Sequence, residues 1–156
     1  MLEKIITGGQ TGVGRAALDA ALEAGFPCGG WCPEGREAED GPIPGRYPLR
    51  ALAGAGCHER TLRNLAEACG TAILYFGELE GGTETAAYFC MKQGRPYRLV
   101  DGDEIRPGRA AALLADFIAD RGVRVLNVAG PRASRKPQAY GYAHEVVARL
   151  LRRLRR

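Results

Sequence analysis

No apolar run in this 156-residue chain approaches the roughly 18 to 20 positions that a membrane-spanning helix requires, and the opening MLEKIITGG is charged too early for a secretory signal. The chain therefore reads as soluble and cytoplasmic. Aromatic residues make up only 7% of it, with a single tryptophan, and they are not interleaved with basic residues as single-strand nucleic-acid binding demands. A basic face is missing too. The net charge of +4 rests on Arg149, Arg152, Arg153, Arg155 and Arg156, without which 17 positive side chains stand against 18 negative ones. Cations at a helix end complement its dipole, so this tail reads as a solvated terminus. Neither nucleic acid nor a membrane is expected as a partner.

Catalytic signatures are also scarce. No serine occupies a Gly-x-Ser-x-Gly elbow, no Lys-Ser or Lys-Thr closes a phosphate loop, and neither His58 nor His144 has an evident acidic orienter. Any catalysis would have to run through carboxylates, Glu84 or the group Glu37, Glu39 and Asp40. The five cysteines are an odd number with no Cys-x-x-Cys pair. They read as reduced, mostly buried thiols, and Cys28, Cys32, Cys57 and His58 lack metal-ligand spacing.

What is plentiful is glycine, at 22 of 156 residues, about twice the usual share of about 7%. With 46% hydrophobic and 26% charged residues the chain lies in the globular range, at a length that suits one domain, residues 1–156. A short strand at 4–7 runs into Gly8-Gly9-Gln10-Thr11-Gly12-Val13-Gly14-Arg15 and then a helix through Ala24. Prolines and glycines fill 27–50, which reads as a long structured loop of functional type. The spacing predicts helices over 59–69, 84–93, 107–120 and about 138–154, and strands over 71–76, 96–100 and 123–129. This alternation predicts an α/β fold, a Rossmann-like three-layer sandwich on a mostly parallel sheet.

Three glycine turns follow predicted strands: 8–14, then 77–83, then Gly130-Pro131-Arg132. In a parallel sheet they gather at the carboxyl ends, where open α/β sheets bind ligands. Turns without Cβ atoms let amides approach an anion, and a following helix adds unpaired amides and its dipole. Gln10, Thr11 and Arg15 add donors to the first turn, Arg132 and Ser134 to the third. Thr83 and Glu84 fit either ligand contact or an ordinary helix start. Trp31 suits either a stacking platform or the plug of a small satellite core. The spacing of the first turn is neither the dinucleotide fingerprint nor a Walker loop, so chemistry alone takes it as far as a phosphate or oxyanion cradle.

The string 5–21, followed by Gly29-Gly30-Trp31-Cys32-Pro33 and Ala38-Glu39-Asp40-Gly41-Pro42-Ile43-Pro44, resembles the molybdenum cofactor carrier family. The resemblance returns at Leu79-Glu80-Gly81-Gly82-Thr83 and at 126–132, so it spans nearly the whole chain. It implies a Rossmann-like, often oligomeric protein that shelters an anionic pterin dithiolene bearing a phosphate, within a superfamily that includes lysine-decarboxylase-like phosphoribohydrolases and a DNA-processing protein. The implied ligand residues are Gly8, Gly9, Gln10, Thr11, Gly12, Arg15, Trp31, Arg36, Gly81, Gly82, Thr83, Glu84, Gly130, Arg132 and Ser134. The implied partners are molybdoenzymes or cofactor-synthesis proteins and further copies of the chain.

Two positions depart from the pattern: Gly14 stands where the family has aspartate, and Ala86 where the phosphoribohydrolases carry their catalytic glutamate. A binding protein is therefore expected rather than an enzyme, with a nucleoside monophosphate hydrolase using Glu84 as the alternative.

Overall fold

The structure, a computed structural model, describes residues 1–155; Arg156, counted above in the terminal helix, lies outside the described residues. In chain order the elements begin with β1 (Lys4–Ile6), α1 (Val13–Glu23), β2 (Cys28–Gly29) and β3 (Trp31–Pro33). Then come β4 (Glu37–Ala38), β5 (Gly41–Pro42), β6 (Arg50–Leu52), α2 (Cys57–Glu67) and β7 (Gly70–Tyr75). The chain closes with α3 (Gly81–Gln93), β8 (Tyr97–Asp101), α4 (Pro107–Arg121), β9 (Val125–Ala129) and α5 (Ala139–Leu154).

Five strands form one sheet in the order β2, β1, β9, β7, β8, every pair parallel. Strands of such a sheet are covered on both faces, which is why 70–75 reads as one apolar run. Alternate side chains go to opposite layers. Ala72 and Leu74 of β7 meet α1, α4 and α5 in the main core, whereas Ile73 meets Leu65 of α2 and Ala86, Ala87 and Cys90 of α3. The apolar stripes of α4 (Ala110, Leu114, Phe117) and α5 (Val146, Val147, Leu150) are buried in this core. The predicted three-layer α/β sandwich is the fold observed.

The boundaries differ where glycine masks a helix. Helix α3 starts at Gly81, three residues ahead of the predicted start, so Gly81, Gly82 and Thr83 form its first turn instead of preceding it. Likewise α2 starts at Cys57 and ends before Gly70, which opens β7 rather than closing the helix. In contrast, Pro107 at the start of α4 and left-handed Gly122 (φ 60°) at its end stand where the signals predict.

The long segment 27–50 holds only elements of two or three residues, but Cys28–Gly29 pairs with β1 as the outer strand of the sheet. The remainder closes over a satellite core of Leu18, Cys32, Ile43, Tyr47 and Leu49. Tyr47, not Trp31, plugs it. All five cysteines are free thiols, but only Cys32 and Cys90 are buried; Cys57 and Cys69 are exposed, contrary to the mostly buried set expected.

Candidate functional site

The first and third glycine turns are locked together. Gly12 has φ 79°, a backbone that L side chains rarely adopt, and a Cβ there would lie 2.8 Å from the Ala133 amide nitrogen. The Val13 amide donates to the Pro131 carbonyl at 3.2 Å, and the Ala133 amide to Thr11 Oγ1 at 3.1 Å. Glu39, reaching over from the long loop, completes the lock. Its carboxylate accepts from the Thr11 hydroxyl, from Ser134 Oγ at 2.6 Å and from the Ser134 amide at 3.1 Å. Those hydrogen bonds, Ser134 foremost and then Thr11, hold the Glu39 carboxyl below its ordinary value.

Beside this junction, at the carboxyl ends of the strands, lies a cavity of about 600 Å³. Its wall takes Gly8, Gln10 and Gly14 from the first turn, Gly81, Gly82 and Thr83 from α3, and Gly130, Arg132 and Ser134 from the third turn. The α3 end is open to a ligand. Its N-cap, Glu80, makes no side-chain capping bond, and the first amide paired within the helix is that of Glu84, which donates to the Glu80 carbonyl at 3.3 Å. The amides of Gly81, Gly82 and Thr83 therefore find no acceptor among the described residues, and the positive end of the helix dipole faces the cavity.

Of the fifteen residues expected at the site, these eight line the cavity: Gly8, Gln10, Gly81, Gly82, Thr83, Gly130, Arg132 and Ser134. The other seven do not, and most of them have identifiable work elsewhere. Thr11 and Gly12 build the inter-turn junction, whereas Gly9 packs against Leu49 and donates its amide to Thr7 Oγ1 at 3.0 Å. Arg15 is buried and donates through Nε to the Gly9 carbonyl at 3.0 Å and through both terminal nitrogens to Asp40 at 3.1 Å. Arg36 donates to the carbonyls of Ile43, Pro44, Tyr47 and Leu49, between 2.8 and 3.2 Å, and so staples the long loop from within. Trp31 lies between the guanidinium groups of Arg50 and Arg63, 4.5 and 4.6 Å from its ring, and its indole N–H donates to Glu67. Glu84 is exposed on α3 outside the cavity wall, whereas Ala86, in the position of the hydrolase glutamate, is part of that wall.

Helix α2 supplies what the sequence reading missed: Cys57, His58, Arg60, Thr61 and Asn64 all border the cavity. Arg60 is the notable one, because it lies across Gly8 so closely that a Cβ there would collide with its guanidinium. Arg135 and Lys136, just past the third turn, add two more cations near Glu80, each at 3.9 Å. Asn127, the middle residue of central strand β9, also lines the cavity. Cys28 and Cys32 belong to the satellite core, so they do not join Cys57 and His58. His144 does gain an acidic neighbour, Glu23 at 3.0 Å, but on the outer surface of α1 and α5.

A family model described as "Circularly permutated YpsA SLOG family" matches residues 5–151. The chain belongs to that family. A crystal structure named "Putative molybdenum carrier protein", from Syntrophus aciditrophicus SB, is 37% identical to this chain and superposes with a TM-score of 0.93, covering 96% of this chain and 95% of its own. That structure bears out both the Rossmann-like fold and the resemblance to the molybdenum cofactor carriers. No curated protein matches the chain.

Proposed function

We propose that this member of the circularly permutated YpsA SLOG family binds and carries the molybdenum cofactor, an anionic pterin that ends in a phosphate. The observation that carries this reading is the uncapped first turn of α3 opening into a glycine-walled cavity of about 600 Å³, inside the range of about 300 to 1,000 Å³ usual for ligand sites. The charge of the wall agrees with an anion: Arg60, Arg132, Arg135 and Lys136 stand against the carboxylates of Glu78 and Glu80 in the wall and of Glu39 behind it, 3.8 Å from Arg132. The printed name of the 37%-identical neighbour points the same way.

Holding the ligand is then the whole task of these residues. Amides of the α3 turn and the cations around the wall bind oxyanion groups, while the glycines of the first and third turns let the ligand approach the backbone. Ala86 stands in the wall at the position of the hydrolase glutamate and Glu84 lies outside it, so neither supplies the acid that glycosidic-bond hydrolysis needs. A thermal-shift titration tests the reading: cofactor released anaerobically from a donor enzyme raises the melting temperature, and adenosine monophosphate at equal concentration does not. A shift with the nucleotide alone would overturn it in favour of a nucleotide-binding enzyme.

A further inference from the structure

Within the long loop, β4 and β5 pair antiparallel as a hairpin of their own, joined to no other strand, with Glu39 and Asp40 at its two-residue tip. None of its residues is buried, and only Ala38 packs partly against the satellite core. A hairpin this short is marginal by itself, so the polar contacts of the tip hold it down. Its two ends are anchored separately. Arg36 is fixed by the carbonyls of Ile43, Pro44, Tyr47 and Leu49, and Ile43 is 3% exposed in the satellite core. A lightly held tip between two anchored ends has the build of a flap.

What the tip holds is the wall of the cavity. The Glu39 carboxylate accepts from the Ser134 hydroxyl at 2.6 Å and the Ser134 amide at 3.1 Å, and it lies 3.8 Å from the Arg132 guanidinium. The Glu39 amide donates to Gln10 Oε1 at 2.9 Å. Gln10, Arg132 and Ser134 all line the cavity, whereas Glu39 stands behind them. A hydroxyl, a backbone amide and a guanidinium gathered on one carboxylate are the same kinds of donor that a bound oxyanion uses. Asp40 differs from its neighbour at the tip, because its carboxylate engages Arg15, which is not part of the wall.

We propose that Glu39 is an internal competitor of the ligand: the β4–β5 hairpin is a flap that its carboxylate closes on Arg132 and Ser134, and that an anionic ligand displaces. This rests on the carrier reading for the charge of the ligand and adds to it the part of the chain that moves. Two anions repel at these shared donors, so loading lifts Glu39 and the hairpin, and their return favours release. The closed flap lowers the apparent affinity in proportion to the fraction of molecules in which it is open.

Isothermal titration of the full chain, with inorganic phosphate and separately with cofactor released anaerobically from a donor enzyme, tests the sign of the effect. Glu39→Gln keeps an acceptor for Thr11 and Ser134 but removes the charge. It binds both anions at least about threefold more tightly than wild type. Asp40→Asn, which removes a charge from the same tip without touching the wall, gives no such gain. Hydrogen exchange gives a second readout: the Glu39 amide exchanges faster in wild type saturated with phosphate than in the free protein.

Unchanged or weaker binding of both anions by Glu39→Gln would make Glu39 a structural lock alone and overturn the flap. An equal gain in Asp40→Asn would overturn it too, by reducing the effect to net charge. Tighter phosphate binding in Glu39→Gln, with no cofactor binding in either protein, would sink the carrier reading and leave the flap standing. Cofactor binding that is the same in wild type and Glu39→Gln would do the reverse. No binding of either anion by either protein would overturn both.

Discussion

Both carboxylate oxygens of Asp40 accept from Arg15, each at 3.1 Å, while Nε of the same guanidinium holds the Gly9 carbonyl at 3.0 Å. Arg15 thus ties the first glycine turn to the long loop. From sequence it reads as a ligand clamp, one helical turn behind the glycines. In the fold its donors are already engaged, and the Asp40 carboxyl is held below its ordinary value chiefly by these hydrogen bonds. We expect Arg15→Ala to lower stability by about 1 to 3 kcal/mol, because it leaves the Gly9 carbonyl and Asp40 unpaired. Lysine, lacking the planar fork, should recover little of that. Urea denaturation measures it; an unchanged midpoint with weakened anion binding would return Arg15 to the ligand site.

Glu39 links the same loop to the third turn, and its depressed carboxyl predicts an acid-sensitive junction. A native value below the ordinary 4.5 means that the unfolded chain takes up protons first as pH falls. The stabilisation is complete above about pH 4.5 and fades as pH drops through the native value; Asp40, ordinarily 3.8, follows the same sign. Melting temperature measured from about pH 6 down to about pH 3 should fall less steeply in Glu39→Gln than in wild type. Parallel curves would show that Glu39 does not couple protonation to folding.

Gly12→Ala tests the turn-to-turn contact itself. The new Cβ meets backbone atoms of 131–133, which cannot rotate away as a flexible side chain can, and φ 79° is strained for alanine. A loss of more than about 1 kcal/mol is expected, together with weaker ligand binding. A neutral variant would mean that the two turns separate freely.

Glu84→Gln separates binding from hydrolysis. Because Glu84 is exposed and outside the cavity wall, the change should leave stability within about 0.5 kcal/mol and ligand affinity unaltered. A large loss of affinity, or a hydrolytic activity that disappears with it, would bring Glu84 into the site.

The glycine turns were legible in the sequence because each follows an apolar strand, and the alternation of strand and helix was enough for the fold class. Helix α3 was misjudged at its start because Gly81 and Gly82 look like turn residues and Glu80 gives no capping signature. Arg60 was invisible for a different reason. It sits on a polar helix face that reads as solvated, and only the approach of Gly8 from a distant strand turns that face into a wall. Arg15 and Arg36 had the opposite fate, since their acceptors, Asp40 and the loop carbonyls, are fixed only once 27–50 has folded over the satellite core. Asn127 lies inside the predicted strand 123–129, and that it lines the cavity is a property of the packed sheet.

The central claim is that this cavity holds the pterin cofactor through its anionic end. The most direct measurement is an anaerobic titration of the purified full chain with cofactor released from a donor enzyme, followed by melting temperature, in wild type and Arg60→Gln. A concentration-dependent rise in wild type that is strongly reduced in Arg60→Gln is the predicted result. No rise in wild type, beside a clear one with adenosine monophosphate, would contradict it.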